Sequence, residues 1–80
     1  MIRIAKQTNL KPEDVIVKAA KFFGSEGQQL EDKERNSCCI SFGGGGGYVS
    51  ISIAEEGERK TVVVETREFE YQAQRFLELL

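Results

Sequence analysis

Two alternating apolar runs flank five consecutive glycines in the middle of the chain. The first run covers residues 38–42, the glycines residues 43–47 and the second run residues 48–53. Because successive side chains of a strand point to opposite faces, each run has one apolar face and one face lined by serine. The apolar positions are Cys38, Ile40 and Phe42 in the first run, and Val49, Ile51 and Ile53 in the second. This pattern predicts a β-hairpin in an antiparallel sheet, with one face on a core and the other open to water.

The connection between the two predicted strands is unusual. A tight two-residue hairpin needs only one or two glycines at positive φ. Each ordered glycine costs roughly 0.5–1 kcal/mol relative to alanine, so five would cost about 2.5–5 kcal/mol. That cost rivals the net stability of a small domain. We therefore expect a mobile loop. The alternative is that a neighbouring group approaches the backbone so closely that a β-carbon would not fit.

The N-terminal half predicts a strand, a helix and an edge strand. Residues 1–6 alternate as a short first strand, and apolar residues at helical spacing predict a helix over residues 12–23. Pro12 suits the first helical position, and Gly24 is expected to end the helix in the left-handed conformation. Taken alone, the polar segment 28–35 fits either a helix or a loop, but the hairpin beside it favours an edge strand.

The C-terminal half predicts two further elements. A β-branched strand covers residues 60–66, with Val62 and Val64 facing the core, after an acidic turn at residues 55–58. Thr66 is expected to cap a final helix that runs to the chain end. Its apolar stripe comprises Phe69, Ala73, Phe76, Leu77 and Leu80.

The element order β-α-β-β-β-β-α predicts a single α+β domain over residues 1–80. Two amphipathic helices and strands with one apolar face each favour a two-layer sandwich, with both helices on one face of an antiparallel sheet. This order resembles a single repeat of the TATA-binding protein and small prokaryotic proteins of that fold. The resemblance covers nearly the whole chain as a topology, and it implies an open sheet face that lies in a DNA minor groove.

Charge argues against nucleic acid as a partner. Eleven lysines and arginines stand against thirteen acidic residues, for a net charge of −2. Nucleic-acid and anionic-membrane binding depend on clustered basic charge. The open face is expected to hold no lysine or arginine; its predicted members are Ser37, Cys39, Ser41, Tyr48, Ser50, Ser52, Thr61, Val63 and Glu65. With no transmembrane run or signal-peptide h-region in the sequence, we expect a cytoplasmic protein.

Catalytic, metal and cofactor sites have little support in the sequence. The chain has no histidine, the usual general base near neutral pH. Cys38 and Cys39 are neighbours on a predicted strand, so we expect them to point to opposite faces unbridged, one buried and one an exposed thiol. The acidic turn at residues 55–58 offers oxygen ligands for a hard cation but lacks the spacing of a calcium loop, so we expect a solvated turn. We expect no enzyme, no metal site and no cofactor.

Two functional hypotheses follow. The first is a non-enzymatic interaction module that forms a homodimer through the open sheet face or an edge. The second is a small-ligand binder that uses the open face beneath the glycine loop. The candidate contact residues for either are Cys39, Ser41, Gly43, Gly44, Gly45, Gly46, Gly47, Tyr48 and Ser50.

Overall fold

A computed structural model describes residues 2–24, 27–28, 30–36 and 38–80. The predicted order of elements is confirmed. The elements are β1 (Ile2–Thr8), α1 (Pro12–Phe23), β2 (Glu31–Arg35), β3 (Cys39–Gly44), β4 (Gly47–Glu56), β5 (Arg59–Arg67) and α2 (Glu70–Glu78).

The strands form one five-stranded sheet in the order β1-β5-β4-β3-β2. Every pair of neighbouring strands is antiparallel. Strands β2 to β5 follow one another as a meander, and β1, from the start of the chain, lies beside β5. The central strand is therefore β4, and β1 and β2 are the edges.

Both helices pack on the same face of the sheet, as predicted. Three phenylalanine rings join the layers: Phe23 of α1 lies 5.6 Å from Phe42 of β3 and 5.5 Å from Phe76 of α2, measured between ring centroids. The remaining buried core residues are Val15, Ile16, Ala19, Leu30, Ile40, Val49, Ile51, Ile53, Val62, Val64, Ala73 and Leu77. Burial of these apolar side chains is the main stabilising contribution to the fold.

Helix α1 has the predicted bounds but ends differently from the prediction. Pro12 is its first residue, and Glu13 and Asp14 place negative charge in its first turn. Gly24 has φ −80°, so the predicted left-handed conformation is wrong. Its N–H donates to the carbonyl of Ala20 at 3.0 Å, and a β-carbon there would collide with that carbonyl. Glycine is needed at this helix end for close approach.

Helix α2 is shorter than predicted and is not capped by Thr66. Thr66 lies within β5 and is fully buried, and the N-cap residue Phe69 makes no side-chain capping bond. The helix ends at Glu78. At that end the Nζ of Lys6 donates to the carbonyl of Leu77 at 3.0 Å, which places a cation at the negative end of the helix dipole. The apolar stripe is confirmed, since Ala73, Phe76 and Leu77 are buried and Phe69 and Leu80 pack against the core.

The predicted edge strand is confirmed at its C-terminal part only. The N–H of Gln28 donates to the carbonyl of Phe22, and the N–H of Leu30 donates to that of Phe23. These bonds tie the segment to the end of α1, so pairing with β3 begins at Glu31. The register then shifts at Lys33 in a β-bulge. Such bulges, with charged side chains, discourage pairing with another chain at an edge.

Candidate interaction face

The sheet face opposite the helices is formed by alternate residues of all five strands, and we call it the open face. Apart from Gly43, its residues are half-buried or exposed, and no described element packs over them. By register, the open face comprises Arg3, Ala5, Gln7, Glu31, Glu34, Cys39, Ser41, Gly43, Tyr48, Ser50, Ser52, Ala54, Glu56, Arg59, Thr61, Val63, Glu65 and Arg67. The predicted position Ser37 lies outside the described residues.

The prediction that this face holds no basic residue is wrong. Arg3 lies opposite Glu65 of β5, and Arg67 lies opposite Tyr48 of β4. Alternation with Ile2 and Ile4 in the first strand turns Arg3 to the open face. The sequence does not reveal that β1 pairs with β5, and this pairing places Arg3 beside Glu65. The face therefore has the guanidinium groups of Arg3 and Arg67 on the β1–β5 side, and the carboxylates of Glu31 and Glu34 on the β2 side, where Glu31 is paired with Lys33.

One cross-strand row spans the whole open face. Arg3, Glu65, Ser50, Ser41 and Glu34 lie side by side on β1, β5, β4, β3 and β2. At about 4.8 Å between strands, the two ends of the row are roughly 19 Å apart. Neither end residue has a side-chain hydrogen bond or ion pair with the described part of the chain. The row thus ends in two separated, opposite charges.

Tyr48 lies across the open face and contacts the same row. Its hydroxyl donates to Oε2 of Glu65 at 3.3 Å. Partial burial raises the pKa of the Tyr48 hydroxyl, and the negative charge and hydrogen bond of Glu65 raise it further, while Arg67 opposes them. Glu65 is thereby engaged by Tyr48.

A shallow depression of about 260 Å³ lies at the β2 side of the open face. Its lining residues are Glu34, Asn36, Cys39, Ile40, Ser41 and Ser50. Three predicted contact residues, Cys39, Ser41 and Ser50, thus meet at one place. The volume is slightly below the roughly 300–1,000 Å³ of typical ligand pockets. The depression suits a single side chain or a very small molecule.

The five glycines do not form one long loop. Gly45 and Gly46 alone make the turn, with φ of +59° and +84°, as the tight type I′ hairpin requires. Gly43 and Gly44 belong to β3, and Gly47 belongs to β4. None of the five lines the depression described above. Mobility of the turn stays a prediction.

A close neighbour of the backbone, the alternative to mobility, is found at three of these glycines; at Gly44 a β-carbon would lie 3.3 Å from Cδ2 of Leu30. A β-carbon on Gly47 would collide with the carbonyl of Arg67 and lie 3.0 Å from Cε2 of Phe69. At Gly43 a β-carbon would lie 3.1 Å from Cε of Lys33, whose side chain covers that part of the open face. The glycine run therefore combines turn geometry at its centre with steric requirements at its flanks.

The expectation for the cysteines is wrong, because Cys38 and Cys39 form a disulfide. Cys38 is exposed and precedes β3, which begins at Cys39. The Oδ1 of Asn36 accepts the N–H of Cys38 at 3.1 Å and holds it in a bend. The opposite-face argument fails because only one of the two residues is in the strand.

The acidic turn is paired across its own hairpin. Glu56 lies opposite Arg59, and Glu55 lies opposite Lys60, so basic neighbours face these two carboxylates. Across the described residues, no group of three or more potential ligands is arranged to hold a metal ion. Neither described helix is long and apolar enough to cross a membrane.

Comparison of the chain with protein-family models, with curated proteins and with solved structures found no match. The resemblance to a repeat of the TATA-binding protein therefore stays a prediction.

Proposed function

We propose that this chain is a non-enzymatic interaction module that associates with a second copy of itself through the open face or an edge of its sheet. The observation that carries the proposal is the one-sided packing: both helices cover one face, and the described chain leaves the other without a covering layer. A self-complementary surface of this kind is the usual basis of a two-fold dimer.

The composition of the open face supports protein contact. Serine, alanine, cysteine, threonine and valine dominate its centre, and such small side chains let two sheets approach closely. Sheets that pack face to face keep their strands within about 30° of each other and interdigitate their side chains. Few charges at the centre would have to lose water in such a contact.

The two edges differ in what they offer a partner. All five residues of β2, Glu31–Arg35, are exposed and charged, and the strand is bulged at Lys33. These features discourage edge pairing. Strand β1 carries fewer charges over its seven residues, so it is the better of the two edges.

The absence of catalysis and the cytoplasmic location remain parts of this proposal. The sequence supports the first, because it has no histidine. In the cytoplasm, glutathione and thioredoxin would keep Cys38 and Cys39 mostly reduced.

A second candidate function is binding of a small polar molecule in the depression beside Cys39, Ser41 and Ser50. The depression itself supports it, since polar groups converge there. A screen of metabolite pools by thermal shift tests this candidate, because a ligand of the folded state raises the melting temperature. No shift with any pool would count against it.

Sedimentation velocity tests self-association. The chain has a mass of 9.0 kDa, so we expect the average mass to rise towards twice that value as the concentration approaches about 1 mM. A strict monomer over the whole range would overturn the proposal.

A further inference from the structure

We propose that the dimer is formed by two open faces stacked about a two-fold axis parallel to β4, with Arg3 of each copy entering the depression beside Glu34 of the other. This inference rests on the proposed function and specifies its geometry. It names the partner as a second copy of this chain and identifies the residues that set the register.

The strand order supplies the symmetry. In the order β1-β5-β4-β3-β2, the central strand is β4. A two-fold axis that runs along β4, midway between two stacked sheets, places β1 of one copy over β2 of the other. The same operation places β5 over β3 and β4 over itself.

The cross-strand row then becomes self-complementary. Rotation about that axis leaves each residue at the same height along its strand and reverses the order of the strands across the sheet. Arg3 therefore faces Glu34 of the second copy, and Glu65 faces Ser41. Ser50 lies on the axis and meets its own symmetry mate. Both copies make the arginine–glutamate contact, so each dimer has it twice.

Arg3 and Glu34, the two end residues of the row, are both available for this contact. The carboxylate of Glu65, the nearest acidic neighbour of Arg3 across β1 and β5, accepts the hydroxyl of Tyr48. Glu34 lines the depression and has no ion pair within the described chain. An arginine entering there would meet a carboxylate together with the hydroxyls of Ser41 and Ser50, a donor–acceptor match suited to a guanidinium group.

The rest of the face accepts the same arrangement. In the next row Val63 lies over Cys39 of the second copy, and Ser52 lies on the axis. On the other side of the row, Tyr48 lies on the axis beside its own symmetry mate, with its hydroxyl turned to Glu65, and Arg67 lies over Gly43. Glu31 lies next to Gly43 on β2 and is paired with Lys33 at 3.1 Å. The stacking therefore brings no unpaired like charges together.

The size of the face predicts a weak dimer. It spans about 19 Å across the strands and, from Tyr48 to Ala54, about 20 Å along them, or roughly 400 Å² in each copy. A standard interface buries about 800 Å² per partner. We expect a dissociation constant in the micromolar range or higher. The affinity should fall as the salt concentration rises, because salt screens the Arg3–Glu34 contacts.

Charge reversal tests the register. Arg3→Glu and Glu34→Arg should each weaken dimerisation by about tenfold or more, because each places like charges together. An equimolar mixture of the two variants should form heterodimers, since each arginine then meets a glutamate at both contacts. The double variant should dimerise like the original chain. Lys18→Glu, an equal charge change on the exposed side of α1, should have no effect.

The outcomes separate this inference from the proposed function. A dimer that neither variant weakens would overturn the face-to-face register and leave association through an edge. Weakened variants that do not recover on mixing would also overturn it, since Arg3 and Glu34 would then not meet. Circular dichroism checks that each variant folds. If charge reversal at Arg3 prevents folding, Arg3→Gln replaces Arg3→Glu, and a loss of dimer affinity is again expected.

Discussion

The hydroxyl of Thr66 donates a hydrogen bond to the backbone carbonyl of Tyr48 over 2.7 Å. The two residues lie on neighbouring strands, and Thr66 is fully buried in the sheet layer. A threonine before an acidic, amphipathic segment looks like a helix cap in the sequence. In the structure its hydroxyl links β5 to β4 at the end of the sheet nearest the glycine turn.

Replacing Thr66 by valine should therefore cost stability. Thr66→Val keeps the shape of the side chain and removes the donor to the Tyr48 carbonyl, at a cost of about 1–3 kcal/mol. Urea unfolding measures the loss. Thr61→Val is the matched control, because Thr61 is half-buried on the open face of the same strand and should change the free energy of unfolding by less than about 0.5 kcal/mol. Equal effects of the two variants would contradict the role given to this bond.

The glycines of the hairpin should differ in how much stability is lost when a side chain is added. Gly47→Ala places a β-carbon against the carbonyl of Arg67 and the ring of Phe69, so we expect a loss of about 1–3 kcal/mol. Gly45→Asn should be nearly neutral, because its surroundings are open and Asn-Gly is the preferred type I′ pair. Thermal unfolding of both variants checks this contrast. Comparable losses would show that the five glycines act as one flexible loop.

Local patterns were sufficient to predict the elements of this fold. Period-two alternation located β3 and β4, and period-3.6 spacing gave the bounds of α1. Their apolar faces also predicted the two layers, because each face needs a partner to bury it. These signals depend only on residues close together in the chain.

The position of β1 could not be predicted in this way. Its place beside β5 is a contact between residues about 60 positions apart, and no local pattern encodes it. That single pairing places Arg3 in one row with Glu65 and makes β4 the central strand. The row that joins Arg3 to Glu34 therefore became visible only with the strand order, whereas Cys39, Ser41 and Ser50 were found from alternation alone.

The disulfide between Cys38 and Cys39 should add little to stability. A cross-link stabilises mainly by restricting the unfolded chain, and the loop closed here contains only two neighbouring residues. We expect the reduced and oxidised forms to differ by less than about 1 kcal/mol in free energy of unfolding. Thiol titration should detect no free thiol before reduction and two afterwards. A difference of several kcal/mol would mean that the bond holds the bend at Asn36 and the start of β3 in place.

The contact between Tyr48 and Glu65 should make stability depend on pH in the alkaline range. The folded state raises the pKa of Tyr48, so it holds the proton more tightly than the unfolded chain does. The resulting stabilisation is fully present below the ordinary tyrosine pKa of about 10 and is lost as the pH rises through the raised folded-state value. The free energy of unfolding is measured across this pH range for the original chain and for Tyr48→Phe. The difference between the two isolates the contribution of Tyr48, because the other titrating groups are common to both.

A direct titration identifies the cause of that shift. In a Tyr71→Phe background, ultraviolet absorbance of tyrosinate reports Tyr48 alone. Glu65→Gln should lower the pKa of Tyr48, because it removes the neighbouring negative charge, although partial burial keeps some of the shift. Glu56→Gln, on the far end of β4, is the control and should leave the titration unchanged. An unchanged pKa in Glu65→Gln would mean that Glu65 does not hold the Tyr48 hydroxyl, and Glu65 would then be available to pair with Arg3 across β1 and β5.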